Sequence, residues 1–550
     1  MKKINLLCLF FLLSSFAVYA QTINSDTYIV TQEDVYWVYD GGTFTLHNKN
    51  TDTDVVFYHL TIADDGFLHV SSETALTING NLVQGSGSDK LVLRSDEDGT
   101  ASLLTHGTVS GQSVSEKFLK SGNTHGYTIA SPVNGAPHST FTGHINTYFY
   151  NAEDAVWELI DVNSGSMENM RGYWTKFTDD KTLEFKAVLN TGAVSFTDLY
   201  RAAVGQGNMG WNFLGNPYPS SILWDEVVDE NGGETDFVSI TKLNNAVHIS
   251  NNAGGYLSYV NGAGQSGFND GVIPAHASFW VQVNKDYYDP NTAPGPVLNA
   301  KLEFDNSVRV HENLYEPPPP SKTSHSGVMR LALQRDNYQD EIVVRLRDGA
   351  TVDFDPAFDA PKMFASASAI PQFFMKLPYD NKLSIYSLPE NLALPHLIPL
   401  GVKSTAGQSH KIQINLNEFT PYSHIDIHLE DKATGVFADL RLNDTYTYTA
   451  ISNDEDQRFV LHLGAFTAID EGESLTALNI YAHHNHIYVA GLDERATLRL
   501  FNMLGQEIMH TQLEPGSHIV STDVPVGYYI VRITGNQKME TQKIFLETIN

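Results

Sequence analysis

Along most of the chain, apolar and polar residues alternate in runs of about four to eight, broken by Gly, Asn, Asp and Pro. Alternation with a period of two puts one face of each run towards a core and the other towards solvent, which is the pattern of a β-strand. Thr182-Leu183-Glu184-Phe185-Lys186 and Glu341-Ile342-Val343-Val344-Arg345-Leu346 are clear examples, rich in the β-branched and aromatic residues that strands favour. Segments with an apolar residue every third or fourth position between helix caps are scarce. The pattern predicts an all-β, multidomain protein.

One run departs from this pattern. Met1-Lys2-Lys3 precedes an apolar stretch from Ile4 to Ala17 that ends in Val18-Tyr19-Ala20 before Gln21. A basic start, a short apolar core and small residues before the break predict a secretory signal peptide over residues 1–20, cut between Ala20 and Gln21. The stretch is too short for a dependable bilayer span, and no later run approaches it, so no transmembrane span is expected. The one cysteine, Cys8, leaves with the signal. The mature chain then has no disulfide, no thiol nucleophile and no Cys-based metal site.

Within the mature chain the strand signals change character four times. Residues 21–115 carry closely spaced short strands, among them Phe67-Leu68-His69-Val70, Ala75-Leu76-Thr77-Ile78 and Lys90-Leu91-Val92-Leu93. Their spacing suggests stacked rungs, and Thr77-Ile78-Asn79-Gly80-Asn81-Leu82 resembles the β-solenoid-like start of many large surface proteins of the Bacteroidota; a β-sandwich of the same strands is the alternative. Residues 116–310 read as a duplicated β-module. Gly126-Tyr127-Thr128-Ile129-Ala130-Ser131-Pro132 and Gly210-Trp211-Asn212-Phe213-Leu214-Gly215-Asn216-Pro217 are its two openings, and Arg171-Gly172-Tyr173-Trp174-Thr175 and Ala277-Ser278-Phe279-Trp280-Val281 its two closings. The second opening, with Tyr218-Pro219-Ser220-Ser221-Ile222-Leu223-Trp224-Asp225, resembles a building block of secreted Bacteroidota proteins. Four prolines, Pro317 to Pro320, make residues 311–325 a stiff linker. Residues 326–465 read as a β-sandwich that resembles the module preceding the C-terminal signal in type IX-secreted proteins, and residues 466–550 as a separate terminal domain.

A net charge of −30, with acidic residues spread along the chain, argues against a nucleic-acid partner and fits an extracellular protein kept soluble by its charge. The search for chemistry returns little. There is no Gly-x-Ser-x-Gly elbow and no phosphate-cradling loop, and His311-Glu312 begins a zinc motif without completing it. His483-His484-Asn485-His486 would place His484 and His486 on one strand face, two ligands short of a metal site. Asp96-Glu97-Asp98-Gly99, Asp353 with Asp355 and Asp359, and Asp454-Glu455-Asp456 leave calcium open without assigning it, and no other cofactor is expected. Trp174, Trp211, Trp224 and Trp280 read either as core anchors or as sugar-stacking platforms.

The last region carries the most specific pattern. Leu478-Asn479-Ile480-Tyr481, Thr497 to Gln506 around Gly505, Gly527-Tyr528-Tyr529-Ile530-Val531-Arg532-Ile533 and the closing Lys543-Ile544-Phe545-Leu546 together are similar to the type A C-terminal sorting domain of the Bacteroidota type IX secretion system. Two positions differ from the family: Ala482-His483-His484-Asn485 stands in place of its Pro-Asn-Pro, and Glu547-Thr548-Ile549-Asn550 extends beyond the apolar end. The resemblance implies an Ig-like sorting domain recognised by the outer-membrane translocon, and periplasmic transit. It also implies removal of the domain, with the product released or attached at the cell surface, for instance to lipopolysaccharide. The resulting expectation is a secreted or cell-surface, non-enzymatic, adhesin-like or structural protein. An extracellular glycan-binding protein or carbohydrate-active hydrolase is the alternative, with surface glycans as partners.

Overall fold

The computed structural model describes residues 21–23, 35–40, 43–48, 54–87, 89–197, 199–201, 209–227, 239–251, 253–285, 295–296, 300–312, 327–365, 370–378, 381–464, 479–483, 486–492, 494–535 and 539–546. Residues 1–20, where a signal peptide is expected, the proline run and His484 lie outside these. Strands dominate the described residues, and helix occurs as short 3-10 turns such as His138–Phe141 and Trp224–Glu226. Two compact units are formed. One comprises Met1–Arg330, Asp340–Ile370 and Lys382–Pro389; the other comprises Leu331–Gln339, Pro371–Asn381 and Glu390–Asn550.

The first unit begins with a β-solenoid. Thr43–Asn48, Phe67–Val70, Leu91–Leu93 and Ser113–Leu119 pair successively in parallel to make one wall. Val55–Phe57, Ala75–Ile78 and Ser102–Thr105 make a second, and Gln21–Ile23, Leu60–Ile62, Leu82–Gln84 and Val109–Ser110 a third. Each strand sits on its counterpart from the preceding turn of the coil. Parallel pairing at this spacing excludes the hairpin-built sandwich, whose neighbouring strands run antiparallel. Leu46, Val70, Leu76, Ile78, Leu82, Leu91 and Leu93 point inward and are fully buried. The turns stack as well: Asn81 Oδ1 accepts from the Thr108 amide at 3.0 Å, and the Gly107 amide donates to the Gly80 carbonyl at 3.1 Å. A Cβ on Gly107 would lie 2.5 Å from the Gly80 backbone, so the stacked corner needs glycine.

The duplicated module follows, and its two halves share one plan. In the first, the opening strand Tyr127–Ile129 pairs with the closing strand Tyr173–Lys176, which pairs with Asn146–Asn151, which pairs with Val156–Leu159. In the second, Trp211–Gly215 pairs with Ser278–Gln282, then Val247–Ser250, then Tyr256–Val260. The halves also exchange reciprocal bonds. Ile129 bridges Ala277 while Leu214 bridges Arg171, and the Ala130 amide donates to the His276 carbonyl at 2.8 Å while the Gly215 amide donates to the Met170 carbonyl at 2.8 Å. This reciprocity is the signature of an internal two-fold. It equates Ser131-Pro132 with Asn216-Pro217, so the two openings match from the proline backwards and their Gly-aromatic pairs are offset by one residue. Met170 and His276, equivalent under it, both adopt positive φ, 58° and 62°.

In the second half one sheet face is covered. His248 and Ser258 stand opposite one another on the face that carries Trp280. His248 Nε2 lies 2.8 Å from the Pro361 carbonyl, Ser258 Oγ lies 2.8 Å from Ser384 Oγ, and Ala246 and Val260 share a buried cluster with Val343, Ala360 and Ile385.

In the second unit, Val436–Asp439, Ile427–Asp431, Asp454–Leu463, His396–Lys403 and Gln372–Lys376 lie in antiparallel order. Asp431 and Arg458 form a buried two-point ion pair at 3.0 and 2.9 Å, with the Tyr446 hydroxyl donating to Asp431 at 2.9 Å. The terminal domain has its own core. Asn479–His483, His486–Leu492 and Gly516–Ser521 form one sheet, and Glu507–Leu513, Ala496–Asn502, Gly527–Thr534 and Met539–Leu546 another. Ile480, Ile487, Leu498, Leu500, Val531, Ile533, Ile544 and Leu546 are among the residues packed in its core.

Candidate functional site

Two adjoining cavities, of about 560 and 440 Å3, lie where the solenoid meets the second half of the duplicated module. Arg309 sets this junction. Its guanidinium donates to the Leu103 and Thr105 carbonyls of the solenoid at 2.7 and 3.0 Å and to Ser220 Oγ at 3.1 Å, and it lies over the Tyr218 ring. Burial pulls its pKa down to about 10, which still leaves it cationic. The neighbouring His311 bonds Thr77 Oγ1 at 3.0 Å and Ser102 Oγ at 2.7 Å. The incomplete zinc motif is therefore a structural pin, and it presents the next residue, Glu312, to the smaller cavity.

Lys117 lines both cavities. It stands on the strand Ser113–Leu119 with its ammonium 3.4 Å from Thr100 Oγ1, a long bond for a group with three donors to satisfy. Burial lowers its pKa, opposed by the Glu312 charge, and burial raises the Glu312 carboxyl, opposed by Lys117. Glu312 is an exposed residue lining the smaller cavity, and its carboxylate accepts from Ser221 Oγ at 3.3 Å. His276 closes the larger cavity and lies 3.0 Å from Ser115 Oγ. Burial, reinforced by the charge of Lys117, takes its pKa down to about 3, so the ring is neutral at physiological pH. Paired groups with opposed shifts in one cleft mark a site worth testing.

The acidic loop singled out in the sequence forms the rim. Asp96 holds its own turn through the Asp98 and Gly99 amides at 3.0 and 3.3 Å and accepts from Ser72 Oγ at 2.6 Å. Glu97 pairs with Lys120 at 3.4 Å, and the Asp98 side chain remains open to the cavity. Tyr127 and Ile249 add apolar surface. Lys117 and His276 did not stand out in the sequence, and Glu312 did so only as half of an incomplete zinc motif, because residues so far apart in the chain meet only through the packing of solenoid on module.

The other sequence candidates fall elsewhere. Asp359 accepts from the Asp355 and Ser387 amides, both at 2.8 Å, and burial pushes its pKa up to about 8, so it serves a local turn. Asp456 pairs with Lys376 at 2.9 Å. His483 and His486 pair across the first hairpin of the terminal domain. Among the described residues no group of three or more His, Cys, Asp or Glu is placed to hold a metal ion. Trp224 and Trp280 are buried, and Trp174 and Trp211 are half-buried. Trp157, which sequence patterning did not single out, is exposed and meets Tyr150, Phe213 and Trp280 at steep angles of 64°, 70° and 86°. Those rings pack edge to face and do not form a coplanar sugar platform.

Gln21 opens a solenoid strand beside Leu60, and Ala20 lies outside the described residues. Gly505 has φ +81° in a turn whose Leu504 and Gln506 amides both donate to Asn502 Oδ1 at 3.0 Å. Gly527 pairs with Leu546, Tyr528 with Phe545 and Tyr529 with Ile544. Tyr529, Ile544 and Leu546 are in the core, whereas Tyr528 is 55% exposed with the Lys543 ammonium 4.3 Å from its ring centroid.

Residues 27–463 match a protein-family model described as "Domain of unknown function (DUF8693)". No curated protein matches the chain. Among solved structures, "Biofilm associated protein - BSP domain" is 8% identical with a TM-score of 0.16, over 80% of this chain and 92% of that one. The structure entitled "Structural and functional probing of PorZ, an essential bacterial surface component of the type-IX secretion system of human oral-microbiomic Porphyromonas gingivalis" is 10% identical with a TM-score of 0.12, over 74% of this chain and 75% of that one. At such TM-scores neither likeness carries an argument about this chain.

Proposed function

The chain belongs to the family described as a domain of unknown function, DUF8693, and from that premise we propose that it is a secreted or cell-surface, non-enzymatic, adhesin-like or structural protein exported by a type IX secretion system. The observation that carries this reading is the terminal domain: a two-sheet sandwich with its own core, assembled from the segments whose sequence resembles a sorting domain. The pairing of Asn502 with Tyr529 sets the turn at 503–505 and residues 526–528 at one end of that domain. Met503, Leu504, Val526 and Tyr528 are exposed there, an apolar end suited to recognition by an outer-membrane translocon. The solenoid and the duplicated module would be the cargo that reaches the surface.

Deleting residues 466–550 in the native host tests the route. The truncated chain is expected to accumulate in the periplasm, seen by fractionation and by loss of surface labelling, and unchanged surface appearance would overturn the sorting assignment. The cleft around Lys117 and Glu312 favours one second reading, an extracellular glycan-binding protein.

A further inference from the structure

The cleft holds a cation and an anion without joining them. Lys117 has Thr100 Oγ1 at 3.4 Å and Glu312 has Ser221 Oγ at 3.3 Å, and no ion pair links the two. Three donors on one side and carboxylate lone pairs on the other leave hydrogen-bonding capacity directed into a space of ligand size. The carboxylates of Glu73, Asp96, Glu97, Asp98 and Glu312 outnumber Lys117 and Lys120 along the walls, which repels anionic ligands. Hydroxyl groups meet both demands at once, because each accepts one hydrogen bond and donates another.

We infer that this cleft binds a neutral saccharide chain, with sugar hydroxyls accepting from Lys117 and donating to Glu312 and Asp98, and with sugar C–H surface against Tyr127. The inference rests on the surface reading, since an exported protein is the one that meets polysaccharide. It also separates the binding site from Trp157, which packs with Tyr150, Phe213 and Trp280 and lines neither cavity.

The test is isothermal titration of the purified full-length protein with neutral oligosaccharides, namely manno-, gluco- and galacto-hexaoses in α and β linkage, alongside oligogalacturonate and oligoalginate. At least one neutral series is expected to bind, with affinity lowered about tenfold or more by Lys117→Met, Glu312→Gln or the exposed Asp98→Asn, and unchanged by Trp157→Ala. Asp98→Asn lies on an exposed turn, so its effect reads binding even where a buried change disturbs folding. Binding of the uronates alone, loss of binding in Trp157→Ala with the cleft variants unaffected, or no binding across the whole panel would each overturn the inference. Export plays no part in this measurement, so its failure is distinct from failure of the sorting assignment.

Discussion

The two halves of the duplicated module have the same strand order and exchange reciprocal bonds, yet one face of the second is covered and the same face of the first is open. Trp174 and Trp280 are equivalent, as are Tyr148 and His248, and Leu159 and Ser258, because each stands at the same cross-strand position. In the second half Ser258 is buried against Ser384, and Trp280, 5% exposed, packs against Tyr150 and Trp157. In the first half Leu159 is 60% exposed and Trp157 42%. A repeated fold therefore does not imply a repeated environment. Under its cover the face of the second half holds buried polar groups with fixed partners, such as His248 on the Pro361 carbonyl.

The comparison can be broken first at the tryptophans. Trp280→Ala is expected to destabilise the first unit by about 3–5 kcal/mol, measured by denaturant midpoint, because it empties a closely packed aromatic cluster. A cost near that of an exposed site would remove the distinction between covered and open faces. Next comes the two-fold contact itself. A Cβ on Gly215 would lie 2.2 Å from Ala130 Cβ, so Gly215→Ala should cost about 2 kcal/mol. Adding Ala130→Gly should recover most of that loss, and failure of the rescue would mean that the two positions do not face each other.

Acid should then separate the halves. His248 and His276 occupy the places of Tyr148 and Met170, so the second half carries buried titrating groups where the first carries none. Burial lowers their folded pKa values to about 4 and about 3, from an ordinary 6.5. The stability they contribute is full above pH 6.5 and falls as the unfolded chain takes up protons below it. Asp359, raised to about 8, acts in the opposite sense, since its cost grows as pH rises from ordinary carboxylate values to 8. Two histidines against one carboxyl leave a loss of about 1.4 kcal/mol per pH unit between 6.5 and 4. Hydrogen exchange should show Val247–Ser250 and Ser278–Gln282 opening before Asn146–Asn151 and Tyr173–Lys176, and equal loss in both halves would refute the difference. The smallest effect belongs to Trp157→Ala, which should cost about 1 kcal/mol because the ring, 42% exposed, keeps edge-to-face contacts with Tyr150, Phe213 and Trp280 but fills no closed core.

Much of the architecture was legible in the chain. Alternation marked the strands, close spacing suggested rungs without excluding a sandwich, and the aromatic openings and closings suggested the duplication. The choice between rungs and a sandwich was not legible, since strands such as Leu91–Leu93 read alike in parallel and antiparallel sheets. The offset of one residue between the two openings was equally hidden, because the glycines suggested one alignment and only the reciprocal bonds through Ala130 and Gly215 reveal the other.

By itself, then, the sequence determined that this is a strand-built, acidic chain with a leader-like start and a terminal segment patterned like a sorting domain, because periodicity, charge and local motifs are properties of neighbouring residues. Only the tertiary structure decided which half of the module is covered and where Lys117, Glu312 and His276 meet. Those are relations between residues far apart in the chain, set by how the solenoid, the module and Arg309 pack together, and no local pattern encodes them.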